Sequence, residues 1–541
     1  MTATQAPRPY SEAEADARAA RDATIPAAYG LPKSCFPLPK NVTTVLESSG
    51  ILSADELAIV NLDATALASV IAARKVSAVA AAKAYVKAAA VAQQVTNCVV
   101  ELFEDEALER AAWLDAELAR TGKTVGPFHG VPVSIKDHIN VKGHDSPSTF
   151  IGLVGKMVAE EDSHAVKILR DAGAVFFVKT TNPQTLMAIE TDSYLGVTTS
   201  PWNTDTTSGG SSGGEGAILA FKASALGVGS DIGGSVRAPA ASTGIYSFKP
   251  GFHRLPNAGI VVPVGPEGYD GILSTQGPMA RSVRDLELYM RVMGAAQPWL
   301  SEPVVESKPW REVAAPTKLR IGVLEDDGVI RPVAPVRRAL AAAVEKLKAA
   351  GHEIVPYKQY DYAENWDVLR KLYFIDNGDS VHAQLARGNE PIKPLIKWAL
   401  RAVGTEPISG IDYFKLVGRR DAFRYNLAQY WRAQNVDVVL SPVLPGPAAL
   451  HGNSKYWGYT CYWNFANYPA GVFPTGLHVD PALDAEDGSY APRNEDEAHV
   501  YATYDAAKQA NAPLGLQVIG YAGSEEETLA AMKVISEVVQ A

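Results

Sequence analysis

The pattern of apolar and polar positions changes near residue 126. From residue 53 to about residue 120, apolar residues recur with the spacing of amphipathic helices. Ser53 and Glu56 have the S-x-x-E spacing of a capping box, which is typical of a helix start. Residues 1–50 are polar and then rich in proline. We therefore expect an N-terminal extension of helix and loop at residues 1–60, followed by one large domain at residues 61–541.

After residue 126, short β-rich runs alternate with helical patterns. The predicted strands are 131–135, 175–178, 225–228, 319–323, 436–440, 471–474 and 515–519. Helical patterns lie at 334–350 and 524–539. This alternation favours an α/β fold with a mixed, largely parallel central sheet wrapped by helices. Two segments interrupt the pattern: an aromatic and basic one at 360–407, and an acidic one at 478–508 that we interpret as a surface insertion.

Composition and charge narrow the class of protein. A chain of 541 residues with 47% hydrophobic and 20% charged residues can bury a large core. The net charge of −10 disfavours binding to phosphate backbones, so we expect no nucleic-acid partner. The N-terminus lacks the basic and apolar regions of a signal peptide. The most apolar stretch, 64–95, contains Arg74, Lys75, Lys83 and Lys87, which indicates amphipathic helix and no membrane span.

The cysteines indicate a reducing compartment. Cys35, Cys98 and Cys461 are odd in number and far apart, and no CxxC motif or Cys/His cluster is present. We therefore expect neither a disulfide framework nor a metal site. Together with the missing signal peptide, this predicts a cytoplasmic protein.

Residues 209–214, Gly-Gly-Ser-Ser-Gly-Gly, form the most informative segment, and three interpretations compete. A phosphate-binding loop would end in lysine and Ser or Thr, which this segment does not. A flexible linker fits the composition, but a plausible helix at 215–222 follows directly. The third interpretation is a nucleophile site. The G-x-S-x-G elbow of α/β-hydrolases would need a strand before it, and 201–208 has the composition of a loop.

Ser235 has better surroundings for a nucleophile. It lies 24 positions after Ser211 and follows a predicted strand and a glycine turn at 231–234. Backbone N–H groups in such a turn can converge and form an oxyanion hole. The residues after Ser235 could start a helix, whose N-terminal dipole favours developing negative charge.

A serine nucleophile also needs a base. The ten histidines show no Ser/His/Asp order, whereas Lys136 ends the apolar run 131–135. Burial lowers the pKa of a lysine and allows the neutral amine to act as a base. A lone lysine after a strand is most often a surface residue. Its combination with two glycine-framed serines indicates amide hydrolysis by two serines and a lysine.

At this point the chain resembles the amidase signature family over roughly residues 60–541. The matching segments are 130–137, 179–183, 200–203, both serine motifs, 248–250, 276–282 and 513–517. Gly-Gly-Ser-Ser-Gly-Gly-Glu-Gly, which includes Glu215, is similar to the fungal acetamidase and fatty acid amide hydrolase branch. One departure is Ser-Phe-Lys-Pro-Gly at 247–251, where Gly-Leu-Lys-Pro-Thr is usual. We interpret that difference as structural, with little effect on the chemistry.

The resemblance implies roles for the site residues and no cofactor. Ser235 would be the nucleophile, Ser211 the bridging serine in a cis peptide after Gly210, and Lys136 the base. The other implied residues are Ile232, Gly233, Gly234 and Ser235, whose amides would form the oxyanion hole, and Ser212, Asp231 and Arg237 behind them. For Asp231 and Arg237 an ordinary ion pair is the alternative.

The resemblance also implies a substrate pocket. Leu186, Met187 and Ile189 would border its acyl part, and Trp457 and Tyr459 would form part of its wall. Plain core packing is the alternative for both groups. The segment 392–401 mixes apolar and cationic residues. We expect a surface helix packed on the core there, with a lid or a membrane-touching patch as the alternative.

The implied activity is hydrolysis of a linear carboxylic amide to acid plus amine or ammonia, through an acyl-enzyme. The expected partner is a small amide, and a homodimer is compatible with the sequence. The alternatives are an ester or carbamate hydrolase on the same triad, an amidotransferase subunit, and a non-catalytic binding descendant. Intact Lys136, Ser211 and Ser235 speak against the last of these.

Overall fold

The computed structural model describes residues 8–401, 407–486 and 488–541. The strands of these residues are β1 (Val99–Leu102), β2 (Pro132–Lys136), β3 (Val175–Thr180), β4 (Asp192–Ser193), β5 (Gly196–Val197), β6 (Thr199–Ser200), β7 (Asn203–Thr207), β8 (Leu226–Asp231), β9 (Tyr246–Lys249), β10 (Thr275–Ala280), β11 (Arg320–Val323), β12 (Glu353–Pro356), β13 (Val438–Pro442), β14 (Ala470–His478) and β15 (Pro513–Ile519).

The helices of the same residues are α1 (Tyr10–Ala23), α2 (Val45–Ser48), α3 (Ala54–Asn61), α4 (Ala64–Ala72), α5 (Ala78–Thr96), α6 (Glu104–Thr121), α7 (His164–Asp171), α8 (Gly213–Ala220), α9 (Arg237–Thr243), α10 (Val283–Ala295), α11 (Ala334–Ala349), α12 (Tyr362–Tyr373), α13 (Asp379–Ala386), α14 (Pro394–Leu400), α15 (Gly410–Gln434), α16 (Gly458–Ala466), α17 (Glu495–Thr503) and α18 (Glu525–Gln540).

One eleven-stranded sheet organises the fold, in the order β1-β3-β2-β8-β10-β9-β14-β15-β13-β11-β12. Neighbouring strands are parallel in β3-β2-β8 and in β13-β11-β12. They are antiparallel elsewhere in the sheet. The expected mixed sheet wrapped by helices is confirmed, with a smaller parallel share than the sequence indicated. The pattern did not reveal four strands of this sheet: β1, β9 and β10, which pair antiparallel, and the parallel edge strand β12. Of these, β10 contains the strand-disfavouring Gly277 and Pro278.

The long apolar stretch at 64–95 folds as two helices, α4 and α5. Ser77 separates them because its side chain accepts the N–H of Ala80 and caps α5. Eight of the nineteen residues of α5 are buried alanines, which let neighbouring helices approach closely. Lys87 of the same helix pairs with Glu56 at 2.6 Å. Within the described ranges, no helix is both long and apolar enough to cross a bilayer.

The described part of the N-terminal extension packs into the main core. Val42, Leu46 and Val60 are buried in the same apolar cluster as the central strands. The capping box is present: Ser53 Oγ accepts the N–H of Glu56, and the Glu56 carboxylate accepts the N–H of Ser53. Residues 1–7 lie outside the described residues. The domain boundary at residue 60 stays a prediction.

The segment at 392–401 contains α14, whose apolar side packs inward. Leu395, Ile396, Ala399 and Leu400 are buried in a cluster with Phe150 and Val381. Lys393 pairs with Asp192 at 2.9 Å and Arg401 with Asp496 at 3.0 Å. This is the packed surface helix that we expected. Residues 402–406 of the interrupting segment, and residue 487 of the acidic one, lie outside the described residues.

Candidate active site

The site lies where β2 and β8 end. These strands are parallel neighbours, with Ile135 opposite Val228, so their carboxyl ends meet at one edge of the sheet. Lys136 is the last residue of β2, and Asp231 is the last of β8. The helices α8 and α9 begin close to the same place, directly after the two glycine-serine segments. The topology therefore brings together both sequence motifs and the lysine.

Lys136 is fully buried, and its Nζ has two hydroxyl partners. As an ammonium it donates to Ser211 Oγ at 2.7 Å and to Ser230 Oγ at 2.9 Å. Burial lowers the pKa of Lys136 to about 7, although Asp231, Glu215 and Asp137 oppose the shift. A substantial fraction of this amine is therefore neutral near pH 7 and can accept a proton.

Ser211 follows a cis peptide bond after Gly210. Its segment is packed so tightly that side chains are excluded. A Cβ at Gly210 would lie 2.6 Å from the carbonyl oxygen of Ala188, and one at Gly209 would lie 2.6 Å from Cα of Pro239. Gly209 also has a φ of +79°, which L side chains rarely adopt. The glycines thus allow the backbone around Ser211 to lie directly against its neighbours.

Ser235 lies next to the Ser211 segment and is almost completely buried. The backbone N–H of Ser212 donates to the carbonyl oxygen of Ser235 at 3.0 Å, which joins the two serine motifs. The Ser212 side chain in turn accepts the N–H of Ser230 at 3.3 Å. Ser211, Ser230 and Ser235 all line one cavity.

Asp231 and Arg237 form more than an ion pair. The Asp231 carboxylate accepts the N–H groups of Gly234 at 2.8 Å and Val236 at 3.2 Å, and both its oxygens accept from Arg237 at 3.0 Å. Asn464 donates to it at 2.9 Å. Burial alone would raise the pKa of Asp231, but Arg237 and these hydrogen bonds hold that pKa well below its usual value. The charged carboxylate therefore fixes the turn before Ser235.

This anchoring changes the expected oxyanion hole. The N–H of Gly234 is already engaged by the Asp231 carboxylate, which speaks against its expected part in the oxyanion hole. The carbonyl of Gly233 accepts from Thr460 Oγ1 at 2.6 Å, and that of Ile232 accepts from the Tyr373 hydroxyl at 2.7 Å. Across the described ranges, no hydrogen bond engages the N–H groups of Ile232, Gly233 or Ser235.

Glu215 lies buried among the strands beside Lys136. Its two oxygens accept hydrogen bonds from Ser134 Oγ on β2 and Thr180 Oγ1 on β3, both at 2.6 Å. Burial raises the pKa of Glu215 to about 7, while the two hydroxyl donors and Lys136 lower it. Glu215 thereby ties α8 to the strand that carries Lys136.

A cavity of about 400 Å³ opens onto the serines, which is within the usual size of a small-molecule pocket. Three chain segments form most of its wall: 185–187, 262–274 and 373–381. The apolar side chains that line it are Leu186, Met187, Ile232, Val262, Val264, Ile272, Leu273, Phe374, Ile375 and Val381.

The structure places only two of the expected pocket residues here. Leu186 and Met187 line the cavity, and Ile189, Trp457 and Tyr459 do not. At Ile189 the backbone, not the side chain, faces the site, because the carbonyl of Ala188 and the N–H of Glu190 pack on Gly210.

The two aromatic residues are turned elsewhere. Trp457 packs behind Tyr373, with ring centres 6.3 Å apart. Tyr459 belongs to the buried aromatic core, where its hydroxyl donates to the carbonyl of Ile330 at 2.6 Å. The core-packing alternative therefore holds for Tyr459, while Trp457 is partly buried against two apolar clusters, beside Tyr373 and Trp398.

Sequence reasoning missed several residues of the site. His138 and Ser230 lie beside Lys136, and Tyr373 orients the turn before Ser235. His138 stands two positions after the lysine and Ser230 directly before Asp231, so proximity to the motifs was the available signal. Tyr373 and the wall at 262–274 carry no sequence pattern that points to the site.

This arrangement contains the groups that acyl transfer needs. They are a buried lysine beside one serine, a second serine after a glycine turn, and backbone N–H groups of that turn. The family model described as Amidase matches residues 80–529. A relative from Schizosaccharomyces pombe is 43% identical over 449 residues, covering 82% of this chain and 84% of the relative. The acetamidase of Aspergillus oryzae is 34% identical over 546 residues, covering 98% and 99%.

Among solved structures, a fatty acid amide hydrolase superposes with a TM-score of 0.94 at 35% identity, covering 98% of this chain and 96% of that one. The chain belongs to the amidase signature family. It is an amide-hydrolysing enzyme.

Proposed function

We propose that this protein hydrolyses linear carboxylic amides to an acid plus an amine or ammonia, through an acyl-enzyme on Ser235. Ser211 is the proton bridge and Lys136 the base. The observation that supports the proposal best is the 2.7 Å contact between Lys136 Nζ and Ser211 Oγ, made by a lysine whose pKa burial lowers to about 7.

Acylation begins when Ser235 Oγ attacks the amide carbonyl. The Ser235 proton passes to Ser211 Oγ, and Ser211 gives its own proton to the neutral amine of Lys136. The carbonyl oxygen becomes an oxyanion, which the N–H groups of Ile232, Gly233 and Ser235 stabilise.

The tetrahedral intermediate collapses when the relay reverses. Lys136 returns its proton to Ser211, which protonates the nitrogen of the leaving group, and the C–N bond breaks. Delivery of this proton matters because an amine anion is a very poor leaving group. Water then attacks the acyl-enzyme, with its proton passing along the same route. The acid leaves, and the hydroxyl of Ser235 is regenerated.

The cavity supports an apolar substrate of small to medium size. Its lining is mostly apolar, and Ser211 and Ser235 are part of it. We therefore expect small and medium aliphatic or aryl amides to react faster than long-chain amides. A homodimer and a cytoplasmic location stay predictions.

The first experiment labels the nucleophile. A fluorophosphonate should form an adduct on Ser235, found by mass spectrometry of the digested protein. Ser235→Ala should abolish both labelling and amide turnover, whereas Ser48→Ala on the exposed face of α2 should change neither. An adduct on Ser211 would reverse the roles of nucleophile and bridge.

A second measurement separates the activity classes. Purified protein is assayed on short aliphatic amides, aryl amides, long-chain amides, esters and carbamates. Turnover of esters or carbamates without amides would favour the alternative hydrolase. A lack of turnover by the protein alone, together with a lack of labelling, would favour a subunit or a binding protein.

A further inference from the structure

Lys136 has a second hydroxyl neighbour that the proton relay does not use. Ser230 Oγ lies 2.9 Å from Lys136 Nζ and, on its other side, 2.8 Å from His138 Nε2. Ser230 and His138 are both buried and both line the cavity. Lysine, serine and histidine therefore form a connected chain beside the relay.

The other ring nitrogen assigns the tautomer of His138. Nδ1 lies 3.0 Å from the carbonyl oxygen of Val261, which can only accept a hydrogen bond. Nδ1 therefore carries the proton, and Nε2 of the neutral ring is an acceptor. The backbone holds this contact in place, because the N–H of Val261 donates to the carbonyl of His138 at 2.8 Å and that of Asn140 donates to Gly259 at 3.0 Å.

This tautomer sets the direction of the Ser230 proton. Ser230 donates its single O–H to His138 Nε2, so its oxygen faces Lys136 as an acceptor. A neutral amine has two N–H groups and one lone pair. One N–H points to Ser230, and the lone pair remains for the hydroxyl of Ser211.

Building on the function proposed above, we propose that His138 is a positioning residue of the relay. It holds the Ser230 proton away from Lys136 and so keeps the amine lone pair available to Ser211. Without an acceptor at His138 Nε2, the Ser230 hydroxyl can turn and donate to that lone pair. Ser230 then competes with Ser211 for the base.

The same change has a second consequence. A hydroxyl that donates to the neutral amine stabilises it relative to the ammonium, so loss of His138 lowers the pKa of Lys136. The charged groups around Lys136 are Asp231, Glu215 and Asp137, and the nearby cations that act on His138 are Lys136 and Lys179. All of them remain in the variants below. His138 is neutral in the working range, because burial and Lys136 lower its pKa.

The test is a double-mutant cycle of His138→Leu and Ser230→Ala, read by kcat on an amide and by the rate of fluorophosphonate labelling at Ser235. We expect His138→Leu to lower both about tenfold, with KM nearly unchanged. Ser230→Ala should cost less, because it removes the competing hydroxyl. The double variant should match Ser230→Ala, so that deleting a second group restores activity.

The conservative variant and the pH profile add independent readouts. His138→Gln can place an oxygen near the position of Nε2 and should recover part of the rate. In His138→Leu, the rise of kcat with pH should move to lower pH. The matched control is His352→Leu, which removes another buried histidine, bonded to the N–H of Leu319 outside the cavity, and should leave kcat within about twofold.

Three results would overturn the inference: an unchanged kcat in His138→Leu, an effect confined to KM, or an equal loss when Ser230 is already alanine. If His138→Leu does not fold, His138→Gln takes its place in the cycle. His138→Gln and Ser230→Ala are then compared as single variants and as the double variant, and the same criteria apply. Failure of the proposed function would look different, since the unmodified protein would then not be labelled at Ser235.

Discussion

Removal of one hydroxyl, in Tyr373→Phe, should test how the oxyanion hole is built. The hydroxyl donates to the carbonyl of Ile232 at 2.7 Å. The N–H of Gly233 belongs to the same planar peptide and points the opposite way, so Tyr373 orients a donor that it does not touch. Thr460 and Asp231 hold the next peptide, between Gly233 and Gly234, in the same manner.

The magnitude follows from these contacts. Loss of the hydrogen bond leaves a buried carbonyl without its partner, which costs about 1–3 kcal/mol and favours rotation of the peptide. A complete loss of one oxyanion donor costs about 10²–10³ in kcat. Partial misorientation should therefore lower kcat by roughly tenfold to a hundredfold, and the free energy of unfolding should fall by about 1–2 kcal/mol.

Tyr462→Phe is the matched control. Its hydroxyl donates to the carbonyl of Tyr360, also at 2.7 Å, within the neighbouring aromatic core and away from the cavity. It should lose similar stability in urea and keep its kcat. The assay is kcat and KM on one small and one larger amide, because the Tyr373 ring also lines the cavity. A normal kcat in Tyr373→Phe, or an equal loss in Tyr462→Phe, would refute the positioning role.

Two further predictions concern buried charges. Below the Lys136 pKa of about 7, each unit by which the pH falls should lower kcat about tenfold, and a kcat that is constant from pH 5 to 8 would contradict this. Lys136→Ala should lower kcat by a factor of about 10²–10⁴ on amides and by less on esters. Arg237→Met should lower the free energy of unfolding by about 3–5 kcal/mol, since it leaves Asp231 buried and unpaired. The control is Arg284→Met, because Arg284 is half-exposed and pairs with Asp63 at 2.7 Å. This variant should lower the free energy of unfolding by only about 0–1 kcal/mol. Similar losses for both variants in urea titration would contradict the role of Arg237 as a buried anchor.

The sequence by itself determined the parts of the protein that depend on neighbours along the chain. The capping box at Ser53, the strand that ends at Lys136 and the two glycine-framed serines were all predicted, and the structure brings the last three together at one sheet edge. These features are local: a cap needs a residue three positions away, and close backbone packing needs glycine. The mixed sheet followed from the alternation of strand and helix patterns.

Only the tertiary structure decided which side chains surround Ser211 and Ser235. Tyr373 and residues 262–274 reach the cavity, while Ile189, Trp457 and Tyr459 face away from it. An apolar pattern indicates that a side chain is buried, and it does not say against which neighbour. The antiparallel strand β10 was missed for a related reason, because pairing to adjacent strands compensates for the weak strand propensity of its glycine and proline.

The contact between His138 and Ser230 shows the same limit for polar groups. The two residues are 92 positions apart, and their hydrogen bond exists because β2 and β8 run side by side in register. The sequence shows a histidine near Lys136 and a serine near the turn at 231–234. Their shared proton, and its direction relative to Lys136, depend on distances that only the folded sheet sets.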